Sequence, residues 1–167
     1  PVIDTSCAAL LQLAQRVHAC GQKVVLTGEG ADEWLIGYPW YKAAKALEFL
    51  DLLPGLRLSD LARRAYLRLH RVPQYPPEMR RRTEESIGGP NAWIDSYGVL
   101  GLSKLRFYAA PMREVLEQTN PWSELQLNVE RARRWHPLNR GVWIAARVNL
   151  AGHLLQARGG RVAMHSS

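Results

Sequence analysis

Cysteine is scarce: Cys7 and Cys20 are the two among 167 residues. If residues 5–20 form a helix, a rise of ~1.5 Å per residue separates them by roughly 20 Å, far beyond the ~7 Å Cα limit for a bridge. A disulfide framework is therefore excluded, and two buried free thiols of a reducing cytoplasm are expected. No run is long and apolar enough to cross a membrane. Pro1 opens the chain, and no charged-then-apolar leader follows it. The chain reads as soluble and cytoplasmic, and as a section of something longer. It holds no internal repeat, heptad run or low-complexity tract. The five histidines, His18, His70, His136, His153 and His165, show no metal-ligand spacing and are read as structural. Acidic residues are the minority, 15 against 22 basic ones, which leaves a net charge of +7. Such an excess suits an anionic partner: a nucleotide, a nucleic acid or an acidic surface.

What is present suffices for a domain with a real core, at 47% hydrophobic residues. Asp4, Thr5 and Ser6 offer an N-cap for a helix with Cys7, Leu10, Leu11, Ala14 and Val17 on one stripe, and Gly21 is its natural stop. Lys23-Val24-Val25-Leu26 is short, β-branched and apolar, as in a parallel strand buried on both faces. A glycine turn at 27–31 leads into a helix at Asp32-Glu33. Pro39 interrupts that helix, and it resumes over 41–50. This succession makes one layer of an α/β fold. The remainder reads as mostly helical. Ser59 caps a helix with Leu61, Ala62, Ala65, Tyr66 and Leu69 on the apolar face and Arg64, Arg68 and Arg71 opposite. The proline- and glycine-rich 72–91 stretch reads mostly as an exposed excursion and as the one weak candidate for a domain boundary. Short helices are predicted over 91–100, 103–108 and 111–118, and a long one from Asn139 to Ala157, ended by Gly159-Gly160.

The turn carries the chemistry. Gly28 and Gly30 lack a Cβ, so the backbone bends sharply and a ligand can approach closely. Ligands of open parallel sheets bind beyond the carboxyl ends of strands, and amides at a helix start face anions. It is not a P-loop, because no Gly-Lys-Ser/Thr follows, and its glycine spacing is not the dinucleotide fingerprint. Glu29, Asp32 and Glu33 place three carboxylates within five residues. They would repel bare phosphate unless a divalent cation or a positive reactant stands between. Glu29 suits a role accepting a proton from an amine, and Asp32 suits holding Mg²⁺ against a diphosphate. The plain alternative is that Asp32 caps the helix and Glu29 is solvated.

The run Lys23-Val24-Val25-Leu26-Thr27-Gly28-Glu29-Gly30-Ala31-Asp32-Glu33, with Gly37-Tyr38 after it, resembles the glutamine-hydrolysing asparagine synthetases. A second stretch is similar to the family in the right order: Leu154-Leu155, then Arg161-Val162-Ala163-Met164-His165-Ser166. The resemblance implies that residues 1–167 are a partial asparagine synthetase domain. Its fold would be α/β: a predominantly helical piece of a doubly wound parallel-sheet nucleotide-binding domain of the adenine nucleotide alpha hydrolase type. It further implies that Thr27 and Gly28 contact ATP. Glu29 would serve ammonia attack on a β-aspartyl-adenylate, Asp32 would lie near Mg²⁺ and pyrophosphate, and Arg161 would face the phosphates. ATP, aspartate and ammonia from a glutaminase domain are the implied partners, with no nucleic acid and no membrane. The amidotransferase domain and the Ser-Gly-Gly-x-Asp-Ser pyrophosphate loop are not in this chain, so it is not expected to complete the reaction alone.

Two departures stand out. Gly160 occupies a place where many members have Asp, and Trp34-Leu35-Ile36 replaces the family's Leu/Val-Phe-Gly/Ala. Arg63-Arg64, Arg80-Arg81-Arg82 and Arg131 with Arg133-Arg134 read as solvated faces. Their functional alternative is phosphate contact with nucleic acid. Trp93, Trp122, Trp135 and Trp143 read mostly as core. Three readings stand: an asparagine-forming ligase, a related adenylating ligase acting on another acid (β-lactam- or peptide-type), and a basic helical nucleic-acid-binding module.

Overall fold

The structure, a computed structural model, describes residues 5–52, 58–72, 77–160 and 162. Every regular element among them is helical. In chain order these are α1 (Ser6–Ala19), α2 (Ala31–Leu35), α3 (Pro39–Leu50), α4 (Leu58–Leu69), α5 (Pro77–Ser86), α6 (Ala92–Lys104), α7 (Ala110–Gln118), α8 (Val129–Arg133), α9 (Pro137–Ile144) and α10 (Ala145–Gly160), the last wound with π-helical pitch. Two single 3₁₀ turns, Leu105–Phe107 and Pro121–Leu125, join neighbours. The chain divides into two compact units: Pro1–Gly37 with Val142–Ser167, and Tyr38–Gly141. The divisions fall at Gly37/Tyr38 and Gly141/Val142 rather than in 72–91.

In the first unit, the predicted stripe of α1 is real. Cys7, Leu10, Leu11, Ala14 and Val17 are half-buried, and most of the helix around them is exposed. The helix ends as Gly21 forecasts. Gly21 takes φ 74°, its amide donates to the His18 carbonyl at 2.8 Å, and the Gln22 amide donates to the Val17 carbonyl at 3.2 Å. This is a Schellman closure, which satisfies carbonyls that the helix leaves orphaned. The cysteines are not buried as expected, since Cys7 is half-buried and Cys20 exposed. Cys20 is the C-cap of α1 and lies beyond its packed stripe.

The largest correction concerns Lys23–Leu26. The segment is irregular, and Val24, Val25 and Leu26 are 80%, 56% and 95% exposed. β-branched residues favour a pleated backbone, yet a strand persists only when its amides and carbonyls meet a neighbouring strand. Among the described residues no strand offers that pairing, so the parallel sheet is not seen. The core of this unit is built on α10 instead, with Ala145, Asn149, Leu150 and Leu154 buried.

The second unit packs around Tyr41, Leu67, Ile87, Trp93, Ile94 and Ala132, all buried. Trp93 donates its indole N–H to the Tyr41 hydroxyl at 2.8 Å, so neither polar tip is orphaned in the core. Of the tryptophans read as core, Trp93 is buried, while Trp122, Trp135 and Trp143 are half-buried. The excursion predicted at 72–91 contains α5, with Thr83 and Ile87 buried. Its glycines mark the end of that helix, not a loop: the Gly89 amide closes on the Glu84 carbonyl at 2.7 Å. Residues 73–76 of the excursion lie outside the described residues.

α4 turns a different face inward from the one predicted. Ser59 and Leu67 are buried, whereas Leu61, Tyr66 and Leu69 are 65%, 52% and 80% exposed. Asp51 anchors the helix start: its Oδ1 accepts from the Ser59 amide at 2.9 Å and its Oδ2 from the Ser59 hydroxyl. Arg63 then donates to that hydroxyl at 2.8 Å and pairs with Asp95 at 3.1 Å. This polar network, rather than the apolar pattern, sets which side of α4 faces the core.

Candidate functional site

The turn between Gln22 and α2 lies in the first unit, and its residues divide by role. Gly30 takes φ 97° and ψ −13°, a left-handed conformation that favours glycine. A Cβ there would also stand 3.3 Å from a Leu150 methyl, so the turn is pressed against α10. The Ala31 amide donates to the Gly28 carbonyl and the Trp34 amide to the Gly30 carbonyl, each at 3.1 Å. One turn later Glu33 points inward and is 1% exposed. Its Oε1 accepts from Nδ2 of Asn149 on α10 at 2.8 Å.

Thr27, Gly28, Glu29 and Asp32 remain at the surface. The Glu29 amide faces the Thr27 hydroxyl at 3.5 Å. A Cβ on Gly28 would meet nothing within 4 Å, so its backbone is open to an incoming group. The Asp32 carboxylate folds over Gly37: a Cβ at residue 37 would lie 2.0 Å from Oδ1 and 3.2 Å from the Asp32 Cα. The Gly37 amide also donates to the Asp32 carbonyl at 3.1 Å. Between them Ile36 sits at φ 64° and ψ 38°. For a β-branched residue this is a strained conformation, of order 1–3 kcal/mol, at a place where the resemblance expects Gly or Ala.

The structure thus gathers four of the five predicted site residues on one turn. The fifth, Arg161, lies outside the described residues, as do Ala163–Ser167 of the second motif. One expectation is not met. α2 has five residues, too short to build the dipole of a full helix terminus. Among the described residues no group of three or more His, Cys, Asp or Glu is placed to hold a metal ion. Asp32 offers one carboxylate where a hard cation takes six or more oxygen ligands.

Sequence reasoning missed Asn149 and the inward turn of Glu33. A signal was there. Asn is unfavourable inside a helix because its amide competes for backbone partners, yet Asn149 stands between Val148 and Leu150, where only a specific partner would favour it.

The model of one protein family, asparagine synthase, matches residues 1–167. The chain belongs to the asparagine synthase family. Among curated relatives of this member, the "Amidase chyE" of Penicillium rubens is 40% identical over 67 residues, which are 40% of this chain and 10% of that protein. The similarity thus spans a small part of that relative's length. No solved structure matches.

Two residues of this family member's polar run Gly-Glu-Gly-Ala-Asp-Glu, Gly30 and Glu33, are spent on attachment to α10. That attachment leaves Glu29 and Asp32 outward on the same loop.

Proposed function

We propose that this chain supplies the acyl-transfer turn of an ATP-dependent, amide-forming ligase that converts aspartate to asparagine. The observation that carries the reading is the division of labour in the Gly28–Glu33 turn within a chain matched to the family along its whole length. In the proposed reaction the β-carboxylate of aspartate attacks the α-phosphorus of ATP and expels pyrophosphate. Ammonia, delivered from glutamine by another part of the full-length protein, attacks the acyl carbon and expels AMP. The nitrogen becomes cationic as it adds, and Glu29 accepts the proton it must lose. Thr27 and Gly28 line the approach to the nucleotide, and Arg161 neutralises phosphate charge. Asp32 would help to hold Mg²⁺, which would offset the charge of the pyrophosphate.

A second reading keeps the adenylation and changes the acid. It is favoured by the printed name of the Penicillium relative, an amidase rather than an asparagine synthase. The nucleic-acid reading loses ground on geometry. Arg80 pairs with Asp95 and Glu84, Arg81 with Glu78 and Glu85, and Arg133 with Glu130, so much of the basic excess is engaged within the chain.

ATP–pyrophosphate exchange by the full-length protein, run with aspartate and then with a panel of other carboxylic acids, tests the reading. Exchange that depends on aspartate supports asparagine formation, and exchange confined to another acid transfers the assignment to the second reading. Glu29→Gln is expected to keep the fold and reduce amide formation at least ~100-fold, within the range attributed to positioned general bases. Undiminished synthesis would remove Glu29 from its role.

A further inference from the structure

We infer that Glu33 and Asn149 form a buried positioning pair, which locks the Gly28–Asp32 turn onto α10 and so fixes where Glu29 and Asp32 are presented. The catalytic part of this inference rests on the ligase reading above; the mechanical part does not.

The argument begins with burial. Glu33 is 1% exposed and Asn149 9% exposed. A carboxylate that deep is costly unless hydrogen bonds hold it, and the Asn149 amide supplies one at 2.8 Å. That bond is directional, so it sets orientation where an apolar contact would only fill space. Glu33 lies one residue beyond Asp32 and four beyond Glu29. The intervening backbone is tied by the Ala31–Gly28 and Trp34–Gly30 hydrogen bonds. Gly30, on the same side, packs against Leu150, the neighbour of Asn149. Two adjacent residues of α10 therefore grip the turn, one through a hydrogen bond and one through van der Waals contact.

Residues 22–29, which lead into the turn, are exposed, and Val24, Val25 and Leu26 pack little of their surface. The burial that this turn does have is on α10, through Gly30 and Glu33. Displacing a reacting carboxylate by about 1 Å can cost 10²-fold in rate. Neither side chain touches a reactant in this scheme; both act through Glu29 and Asp32.

The test uses the full-length protein and three changes: Asn149→Leu, the paired Glu33→Leu with Asn149→Leu, and the conservative Glu33→Gln. The paired variant removes both polar groups of this bond at once and is expected to fold even if the single change does not. Two readouts are taken. Amide hydrogen exchange across 30–37 is expected to accelerate at least tenfold in the leucine variants, with exchange in α4 and α6 unchanged. Amide formation is expected to fall at least tenfold in kcat while KM for ATP moves less than threefold. Glu33→Gln, which retains an acceptor for Asn149, is expected to stay within threefold of the parent in both. Unaltered exchange in the paired variant overturns the pair as an anchor. Accelerated exchange with an unaltered rate overturns its positioning role. Accelerated exchange in the leucine variants of a protein whose parent adenylates no acid upholds the anchor and sinks the ligase reading instead.

Discussion

Gly37 and Arg140 show how much a single residue decides here. The Asp32 carboxylate occupies the space a Cβ on Gly37 would need, with 2.0 Å between them. The nearest obstructing atom is the free end of a side chain, with the Asp32 Cα behind it at 3.2 Å, so Gly37→Ala is expected to swing the carboxylate away and shift the local backbone slightly. Melting temperature should shift by only a few degrees, while amide formation by the full-length protein drops at least ~10-fold, about 1.4 kcal/mol of lost transition-state stabilisation. A rate equal to the parent's would show that the orientation of Asp32 is immaterial. Arg140 is a buried cation held by carbonyls: it donates to Ala132 at 3.1 Å, to Trp135 at 2.6 Å and to Pro90 at 3.1 Å. Burial draws its pKa down, and Glu48 and Glu84 oppose that. Arg140→Met keeps the stem and removes the fork, leaving those three carbonyls without this donor. We expect a loss of ~2–4 kcal/mol in urea denaturation, from the buried hydrogen bonds removed with the guanidinium. A loss under ~0.5 kcal/mol would mean that water replaces the guanidinium at little cost.

Helix ends make the same point at the level of elements. α1, α4 and α5 all close with the Schellman pattern, but only two place glycine at the left-handed position. At the end of α4 that position is Arg71, at φ 54°, with the Val72 amide on the Leu67 carbonyl at 2.9 Å. Arg71 is exposed, so Arg71→Gly sacrifices no packing and is expected to stabilise the protein by ~0.5–1 kcal/mol. An unchanged or lower denaturation midpoint would contradict this. Gly88, at the end of α5, is the opposite case. Its φ is 84°, and a Cβ would stand 2.7 Å from the Ala132 Cβ and 2.9 Å from the Arg133 nitrogen. Those obstacles include backbone, so Gly88→Ala must part α5 from α8, and we expect ~2–3 kcal/mol of destabilisation. The face of α5 that looks outward is governed by charge. The Arg81 hydrogen bond holds Glu78 below its ordinary pKa against the opposing effect of desolvation, and the charges of Arg81 and Arg82 add to it. Whatever this exposed contact adds to stability is present above the unfolded pKa and fades as pH falls through the lower folded value.

For the whole molecule, what could be read ahead of the structure tracks how local the deciding interactions are. The stripe of α1, its stop at Gly21, and the turn that carries Thr27, Gly28, Glu29 and Asp32 were legible, because each is settled within a few residues, whereas Pro39, read as an interruption before a helix at 41, is the first residue of α3. Lys23–Leu26 was not: its composition asks for a strand, but the state of a strand depends on a neighbour, and none is among the described residues. The inward face of α4 was misjudged because a polar network of Asp51, Ser59, Arg63 and Asp95 outweighs Leu61, Tyr66 and Leu69. The partner of Glu33 was invisible because it lies 116 positions along the chain.

That separation has a temporal consequence. Tyr38–Gly141 is continuous in sequence, whereas its companion unit is assembled from two stretches that flank it. A ribosome adding ~5–20 residues per second emits the first stretch several seconds or more before the second. Until Asn149 emerges, the Glu33 carboxylate has no such donor and the turn bearing Glu29 has no surface to rest on. Nascent chains arrested before Val142 should therefore yield a protease-resistant core from the inserted stretch alone. Those carried past Gly160 should protect residues 30–37 as well.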